Sequence, residues 1–157
     1  MRPEPVIAHS HGPKLWLALL LLTALAAHLA PAGRSAIAAQ SPGKSVGDGV
    51  YTEEQSKRGE ELSKASCVSC HGEQLAGGDL APAVQGQDFR AAWAGRSAGE
   101  LFDKIRTTMP ADSAGSLKPN QAADLVAYIF KLNDFPAGKT EIGTELPALN
   151  EIKIREK

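Results

Sequence analysis

The feature that most constrains this chain is a short stretch at residues 66–72, which reads SCVSCHG. It places Cys67, Cys70 and His71 within five positions, and the chain of 157 residues contains no other cysteine. Donor atoms spaced this closely are typical of three kinds of site: a redox-active dithiol, a metal site and the attachment point of a haem. The remainder of the sequence distinguishes between them.

Residues 1–39 have the three-part layout of a secretory signal peptide. Arg2 and Lys14 supply positive charge, residues 15–30 are apolar, and residues 36–39 (AIAA) are small enough for a cleavage site. The alternative is a permanent membrane anchor, but the apolar run is shorter than the roughly 20 residues that a spanning helix needs. We therefore expect export to the periplasm, cleavage of this segment, and no stable membrane insertion of the mature protein.

The charge pattern argues against a nucleic-acid partner. Residues 1–39 carry three basic and one acidic side chain, so their removal changes the formal net charge from −1 to −3. The remaining charges are mixed along the chain and form no basic block.

Two thiols in an oxidising compartment normally form a disulfide. A disulfide between Cys67 and Cys70, however, would close too small a loop to stabilise a fold appreciably.

Haem attachment fits the cysteine motif better than the other two chemistries. A thioredoxin-like dithiol follows a strand in a βαβ pattern, and the sequence has no strand pattern. A structural zinc site needs four ligands, and no second Cys/His pair is present. Covalent haem attachment needs two thiols and an adjacent histidine. The motif therefore predicts one haem c, bound covalently by Cys67 and Cys70, with His71 as an iron ligand.

Capping signals and hydrophobic periodicity predict helices and no strands. The first helix has Thr52 as its N-cap, with Gln55 reaching back to complete a capping box, and runs to about Ser66. A second helix occupies residues 97–108, with its own capping box, and a third runs from about 120 to 133. The sequence thus favours an all-α fold of three to five helices around one covalently attached haem.

The segments around these helices complete the predicted organisation. Residues 40–50 are rich in glycine and serine and are predicted to form a flexible leader. The predicted ordered domain covers residues 51–136, with a glycine-rich loop at 72–90. Residues 137–157 are predicted to form a polar, extended tail. A domain this small buries a limited share of its surface, so a porphyrin is expected to fill its centre.

Met109 is the candidate sixth ligand. Loss of residues 1–39 would leave His71 as the only histidine and Met109 as the only methionine. Haem iron in cytochromes c takes one histidine and one methionine, and Pro110 biases Met109 away from helical backbone. The alternative is that Met109 only packs in the core, which is a common role for this flexible side chain.

The sequence resembles the small, single-haem class I cytochromes c over residues 51–136. The resemblance is carried, in the family's order, by CVSCH, PAVQG, MP and LVAYI. It implies that the Pro82 carbonyl accepts a hydrogen bond from the His71 ring, and that Gly59 and Tyr128 lie where the first and last helices cross. One departure is Ser63, where the family often has an aromatic residue, and this implies a looser or differently packed crossing.

Two further residues are predicted to contact a haem propionate. Trp93 and Arg96 follow the PAVQG segment, and an indole N–H and a guanidinium can both donate to a carboxylate. The alternatives are a core tryptophan and a solvated arginine. Arg106 is a weaker candidate for the same role, because a charge on a helix surface is normally solvated.

A narrower resemblance is to cytochromes associated with pyrroloquinoline-quinone dehydrogenases. It is carried by residues 77–117, which run from GGDLAPAVQG to ADSAGSL, and by the later segments FPAG and TELPAL. This implies a non-enzymatic, periplasmic one-electron carrier that accepts electrons from a quinoprotein dehydrogenase and passes them to an oxidase or a second cytochrome. Two alternatives stay open. One is a ligand-binding haem protein with an open sixth site, and the other is a haem subunit clamped to a dehydrogenase by residues 137–157.

Overall fold

The computed structural model describes residues 44–155 of the chain. The predicted signal peptide at residues 1–39 lies outside these residues. Within the described part, no helix is both long enough and apolar enough to cross a membrane.

The described residues form a helical unit, which confirms the predicted all-α class. The six α-helices are α1 (Glu53–Ser66), α2 (Val68–His71), α3 (Gly86–Trp93), α4 (Ala98–Thr108), α5 (Pro119–Leu132) and α6 (Leu146–Asn150). Two short 3-10 turns cover Val46–Asp48 and Glu73–Leu75. Extended pairing in this part of the chain is limited to two isolated bridges, and both involve Lys153.

The predicted helix starts are confirmed by their caps. The Thr52 hydroxyl accepts a hydrogen bond from the Gln55 amide at 3.1 Å and begins α1. At α4, the Ser97 hydroxyl accepts from the Glu100 amide at 3.1 Å, while the Glu100 carboxylate accepts from the Ser97 amide at 2.8 Å. The bond from the Ser97 amide, followed by Arg96, holds the pKa of Glu100 below its usual value.

The predicted role of the Gln55 side chain is wrong. Instead of reaching back to the start of α1, the side chain is buried and pairs with the backbone of Ile142 in both directions. Its Nε2 donates to the Ile142 carbonyl at 2.9 Å, and its Oε1 accepts from the Ile142 amide at 2.8 Å. Water can satisfy an exposed helix start, whereas the buried peptide groups of Ile142 need a partner from the protein.

Helices α1 and α5 form the most extensive helix contact in the described residues. They cross at Gly59, where an added Cβ would overlap the carbonyl oxygen of Asp124 and lie 2.8 Å from the Cβ of Tyr128. The predicted closeness of Gly59 and Tyr128 is confirmed. The buried side chain of Ser63 lies one turn further along α1, and its hydroxyl donates to the Glu60 carbonyl at 2.8 Å. Small residues therefore allow the two backbones to approach.

The end of the predicted flexible leader is ordered and buried. Ser45 and Val46 are 5% and 0% exposed. The Val46 amide donates to the Lys153 carbonyl at 2.9 Å, and the Lys153 amide donates to the Lys44 carbonyl at 2.8 Å. The structure differs from the prediction because this segment is hydrogen-bonded to Lys153, more than 100 residues away, and local composition does not reveal such a partner.

The C-terminal segment also differs from its prediction as a polar, extended tail outside the domain. It contains α6 and contributes buried apolar side chains to the common core: Ile142, Leu149, Ile152 and Ile154. These side chains are spaced irregularly in a charged sequence, so neither helical nor strand periodicity marks them. Leader and tail together pack on the helical domain, which continues past residue 136.

The predicted loop at 72–90 ends earlier than expected, because α3 begins at Gly86. Phe89 and Trp93 lie four residues apart on this helix, are both buried, and stack with ring centroids 5.9 Å apart. Three glycines and a proline in the preceding residues 72–85 indicated a continuing loop and concealed this short apolar face.

Replacing Gly59 with alanine tests the helix crossing. Alanine favours a helix, but here its methyl group would collide with backbone, and overpacking of this kind costs about 1–3 kcal/mol. We expect a clear fall in the midpoint of thermal unfolding. Gly143→Ala is the matched control, because an added Cβ there meets nothing within 4 Å. Equal or higher stability of Gly59→Ala would contradict the close crossing.

Replacing Gln55 with alanine tests the attachment of the tail. The change leaves two buried backbone groups of Ile142 without partners, which should lower the free energy of unfolding by about 2–3 kcal/mol. Gln87→Ala, at an exposed position on α3, serves as the control. Chemical denaturation of the two variants should separate them, and equal midpoints would show that the Gln55 pairing contributes little.

Candidate haem site

The CVSCH motif lies where α1 ends and the short helix α2 begins. The Cys67 amide donates to the Ser63 carbonyl at 2.8 Å, and the His71 amide donates to the Cys67 carbonyl at 3.0 Å. This tight turn brings both thiols and the imidazole to one region of the surface. Cys67 is half-buried, Cys70 is exposed, and neither is in a disulfide.

The two thiols differ in their surroundings. Burial, followed by the neighbouring Cys70, raises the pKa of the Cys67 thiol. Across residues 44–155, no group of three or more His, Cys, Asp and Glu side chains is arranged to hold a metal ion.

The His71 ring has the contact that the resemblance implied. Its Nδ1 lies 2.8 Å from the Pro82 carbonyl oxygen. Because a carbonyl only accepts, Nδ1 carries the proton, and Nε2 remains as the nitrogen able to bind a metal. Ligating histidines are commonly oriented in this way by a backbone carbonyl. Iron ligation by His71 itself stays a prediction.

Met109 follows the last residue of α4 and has extended backbone angles, with φ −121° and ψ 153°. Its amide still donates to the Ile105 carbonyl at 3.1 Å. The chain therefore leaves the helix at Met109, as the following proline predicts. The Met109 side chain lines the same cavity as Cys67, Cys70 and His71.

This cavity has a volume of about 820 Å³. Its other walls are mainly apolar side chains from α3, α4, α5 and the intervening segments: Leu75, Val84, Phe89, Trp93, Leu101, Ile105, Leu117, Leu125 and Ile129. Binding cavities of about 300–1,000 Å³ with mostly apolar walls and a few placed polar groups are typical of cofactor sites. Two thiols, one imidazole and one thioether on such walls match the chemistry of a covalently bound haem.

Of the residues predicted to contact a haem propionate, Trp93 lines the cavity and Arg96 does not. Trp93 is buried and lines the cavity. Arg96 is not among the lining residues. Its guanidinium carbon lies 4.2 Å from the centroid of the Trp93 ring, and its Nη2 is 3.1 Å from the Glu100 carboxylate. Arg106 likewise pairs with Asp103, at 3.5 Å, and lies away from the cavity walls. Only the tryptophan reaches the site.

Lys104 and the exposed Leu80 line the cavity but were not predicted as site residues. The helical spacing of Leu101, Lys104, Ile105 and Met109 could have identified Lys104, because residues three and four apart share one face of a helix. Leu80 is 78% exposed in a glycine-rich segment with no periodicity, and the sequence offers no signal for it.

Comparison with known proteins adds to this geometry. Residues 54–129 match the family described as cytochrome c oxidase, cbb3-type, subunit III. The matched segment includes the CVSCH motif, the Pro82 carbonyl and Met109. The match covers 76 of the 157 residues. This similarity to a cytochrome c family implies haem binding and electron transfer as the chemistry of the site.

One structural similarity is to a chain of the sulfane dehydrogenase SoxCD from Paracoccus pantotrophus, with 18% sequence identity and a TM-score of 0.45. The alignment covers 62% of this chain and about half, 52%, of that one. No curated protein matches the sequence significantly.

Charge removal tests which positively charged side chains influence a haem bound in this cavity. In the haem-loaded protein, Lys104→Gln removes a positive charge from the cavity wall and should lower the reduction potential, on the order of 20 mV after solvent screening. Arg96→Gln removes the same charge outside the cavity. It should leave the potential nearly unchanged and reduce stability by about 0.5–1.5 kcal/mol, through loss of its ring contact and ion pair.

Redox titration and thermal unfolding of both variants provide the measurement. A fall in potential for Arg96→Gln as large as that for Lys104→Gln would restore Arg96 as a direct partner of the haem.

Proposed function

We propose that this protein is an exported, periplasmic one-electron carrier with a single haem c. Cys67 and Cys70 hold the haem through thioether bonds, and His71 and Met109 are the axial ligands. The observation that carries the proposal is that these four side chains line one apolar cavity of about 820 Å³.

The protein's own groups prepare the site for this task. The Pro82 carbonyl, 2.8 Å from His71 Nδ1, fixes the imidazole tautomer and leaves Nε2 for the iron. The end of α4 directs Met109 into the cavity. The apolar walls exclude water, which favours the less charged state of a bound group. When bound, the haem supplies an iron that cycles between the ferric and ferrous states, with a thioether ligand favouring the ferrous one.

Occupation of both axial positions by protein ligands leaves none for a substrate, so the proposed protein is a carrier and not an enzyme. Electrons would then pass to and from partner proteins at the solvent-exposed side of the cavity. Cys70, Leu80 and Pro82 line the cavity and are all exposed, which marks this side. Partners that exchange single electrons usually form small, short-lived interfaces.

The proposed donor is a quinoprotein dehydrogenase, which is supported by the resemblance of residues 77–117 and of the tail to cytochromes of such enzymes. The proposed acceptor is an oxidase or a second cytochrome of the respiratory chain. The description of the matched family names a cytochrome c oxidase, which supports an oxidase on the accepting side.

The alternative of a subunit clamped by its tail loses its main support. The apolar residues of the tail that suggested a partner include Leu149, Ile152 and Ile154, which are 2%, 8% and 1% exposed. Leu146 of the same stretch is partly buried against the core. Their own domain covers them, so they do not form an apolar face for a dehydrogenase. This observation favours a freely exchanging carrier over a permanently attached subunit.

Met109→Ala tests the proposed function. After expression in a host that matures haem c, the wild type should show a covalent c-type spectrum and, when oxidised, a sulfur-to-iron charge-transfer band. The variant should lose that band, keep its covalent haem, and bind carbon monoxide at least about tenfold more tightly when reduced, because an axial position becomes free.

Leu80→Ala is the control, since it also removes an apolar side chain from the cavity rim but should retain the band. Absence of the band in the wild type, together with tight carbon monoxide binding, would contradict the carrier and support a haem protein with an open sixth position.

A further inference from the structure

Asn133 is a buried polar residue that links two distant parts of the site. It follows the end of α5 and is 2% exposed. Its side-chain Nδ2 donates two hydrogen bonds to backbone carbonyls, one to Ile129 at 2.8 Å and one to Val84 at 3.1 Å. The first bond closes the last turn of α5. The second reaches back 49 residues, to the PAVQG segment.

The oxygen atom of the Asn133 side-chain amide is buried at a cost in stability. Asn133 Oδ1 is buried and accepts no hydrogen bond from the described residues. A buried acceptor without a partner costs free energy, and an apolar side chain of similar size would avoid that cost. The two donated bonds are therefore the distinctive contribution of Asn133, and the end of α5 accounts for only one of them.

Val84 is held on both sides of its backbone. Its amide donates to the Leu75 carbonyl at 3.0 Å, and its carbonyl accepts from Asn133 at 3.1 Å. Two residues earlier, the Pro82 carbonyl accepts from His71 Nδ1 at 2.8 Å. Val84 is thus a fixed point close to the carbonyl that orients the imidazole. Asn133, at the end of α5, provides one of the two hydrogen bonds that hold Val84.

We propose that Asn133 is a positioning residue for the axial histidine: by holding the Val84 carbonyl, it keeps the Pro82 carbonyl in place against His71. This inference rests on the proposed function, in which His71 ligates the haem iron. A hydrogen bond from Nδ1–H to a carbonyl makes the imidazole a stronger donor to the metal. A stronger donor stabilises ferric iron, so a loosened Pro82 contact raises the reduction potential.

Asn133→Ser is the decisive variant. A serine hydroxyl can still donate to the carbonyl four residues earlier, which preserves the end of α5, but it is too short to reach Val84 as well. We expect the ratio of reduced to oxidised protein at a fixed ambient potential to rise about threefold to tenfold, since the change acts one step beyond a residue that contacts the ligand. This corresponds to about 30–60 mV for one electron.

Two further readouts belong to the same experiment. In the reduced protein, the His71 Nδ1–H resonance should exchange with solvent faster in Asn133→Ser than in the wild type, and so should the Val84 amide. Asn133→Leu removes both donated bonds and should change all three readouts in the same direction. It therefore replaces the serine variant if that protein does not fold.

Tyr51→Phe is the matched control. The Tyr51 hydroxyl donates to the Phe135 carbonyl at 2.7 Å, so the variant loses a buried bond to the backbone just beyond α5 without touching Val84. It should lower the unfolding midpoint and leave the potential and the His71 resonance unchanged. Equal potentials and equal exchange in the wild type and in Asn133→Ser would overturn the positioning role, as would an equal rise in potential for Tyr51→Phe.

Failure of the proposed function gives a different result. A wild-type protein without a covalent haem would refute the carrier, and the Val84 amide, measured in the same samples, would then decide the role of Asn133 alone. Faster Val84 exchange in Asn133→Ser supports the fixation by Asn133, and unchanged exchange refutes it.

Discussion

The crossing of α1 and α5 at Gly59 is the contact on which the rest of the structure depends. Because no side chain separates the helices there, the Asp124 backbone lies directly against α1. The crossing holds α1 against α5, and the end of α1 at Ser66 leads directly into the CVSCH motif. It also turns Leu125 and Ile129 of α5 into a wall of the cavity that the motif lines. A bidentate contact from Arg58 to Asp124, at 2.9 and 3.1 Å, reinforces the same junction from the surface.

The tail, which is itself hydrogen-bonded to the end of the leader, braces the helix that leads to Met109. At the start of α4, the Ser97 hydroxyl donates to the Asn150 side chain at 2.9 Å, and the Ala98 amide donates to the Ile152 carbonyl at 2.9 Å. The other end of α4 delivers Met109 to the cavity. Residues that the sequence suggested were peripheral thus hold one end of a helix whose opposite end forms the site. A cofactor-sized cavity leaves less apolar core for the domain itself, and this outer packing compensates for part of that loss.

The sequence predicted what is encoded locally. The caps of α1 and α4 involve residues three apart, and the donor atoms of CVSCH are adjacent, so neither depends on the rest of the chain. Long-range partners were not predictable in the same way. Gln55 has the position of a capping residue, yet it bonds Ile142, 87 residues away. Arg96 is close in sequence to a cavity residue, but its stacking on Trp93 and its pairing with Glu100 keep it out of the cavity. The polar composition of the tail concealed isolated apolar residues whose burial depends on the assembled helices.

A crystal structure of the haem-loaded protein would test the central claim most directly. The account predicts one haem in the cavity between α3, α4 and α5, with thioether bonds to Cys67 and Cys70. His71 Nε2 and Met109 Sδ should both be within bonding distance of the iron, and His71 Nδ1 should remain hydrogen-bonded to the Pro82 carbonyl. A haem bound elsewhere, or an iron whose sixth position is open or filled by another group, would contradict the account.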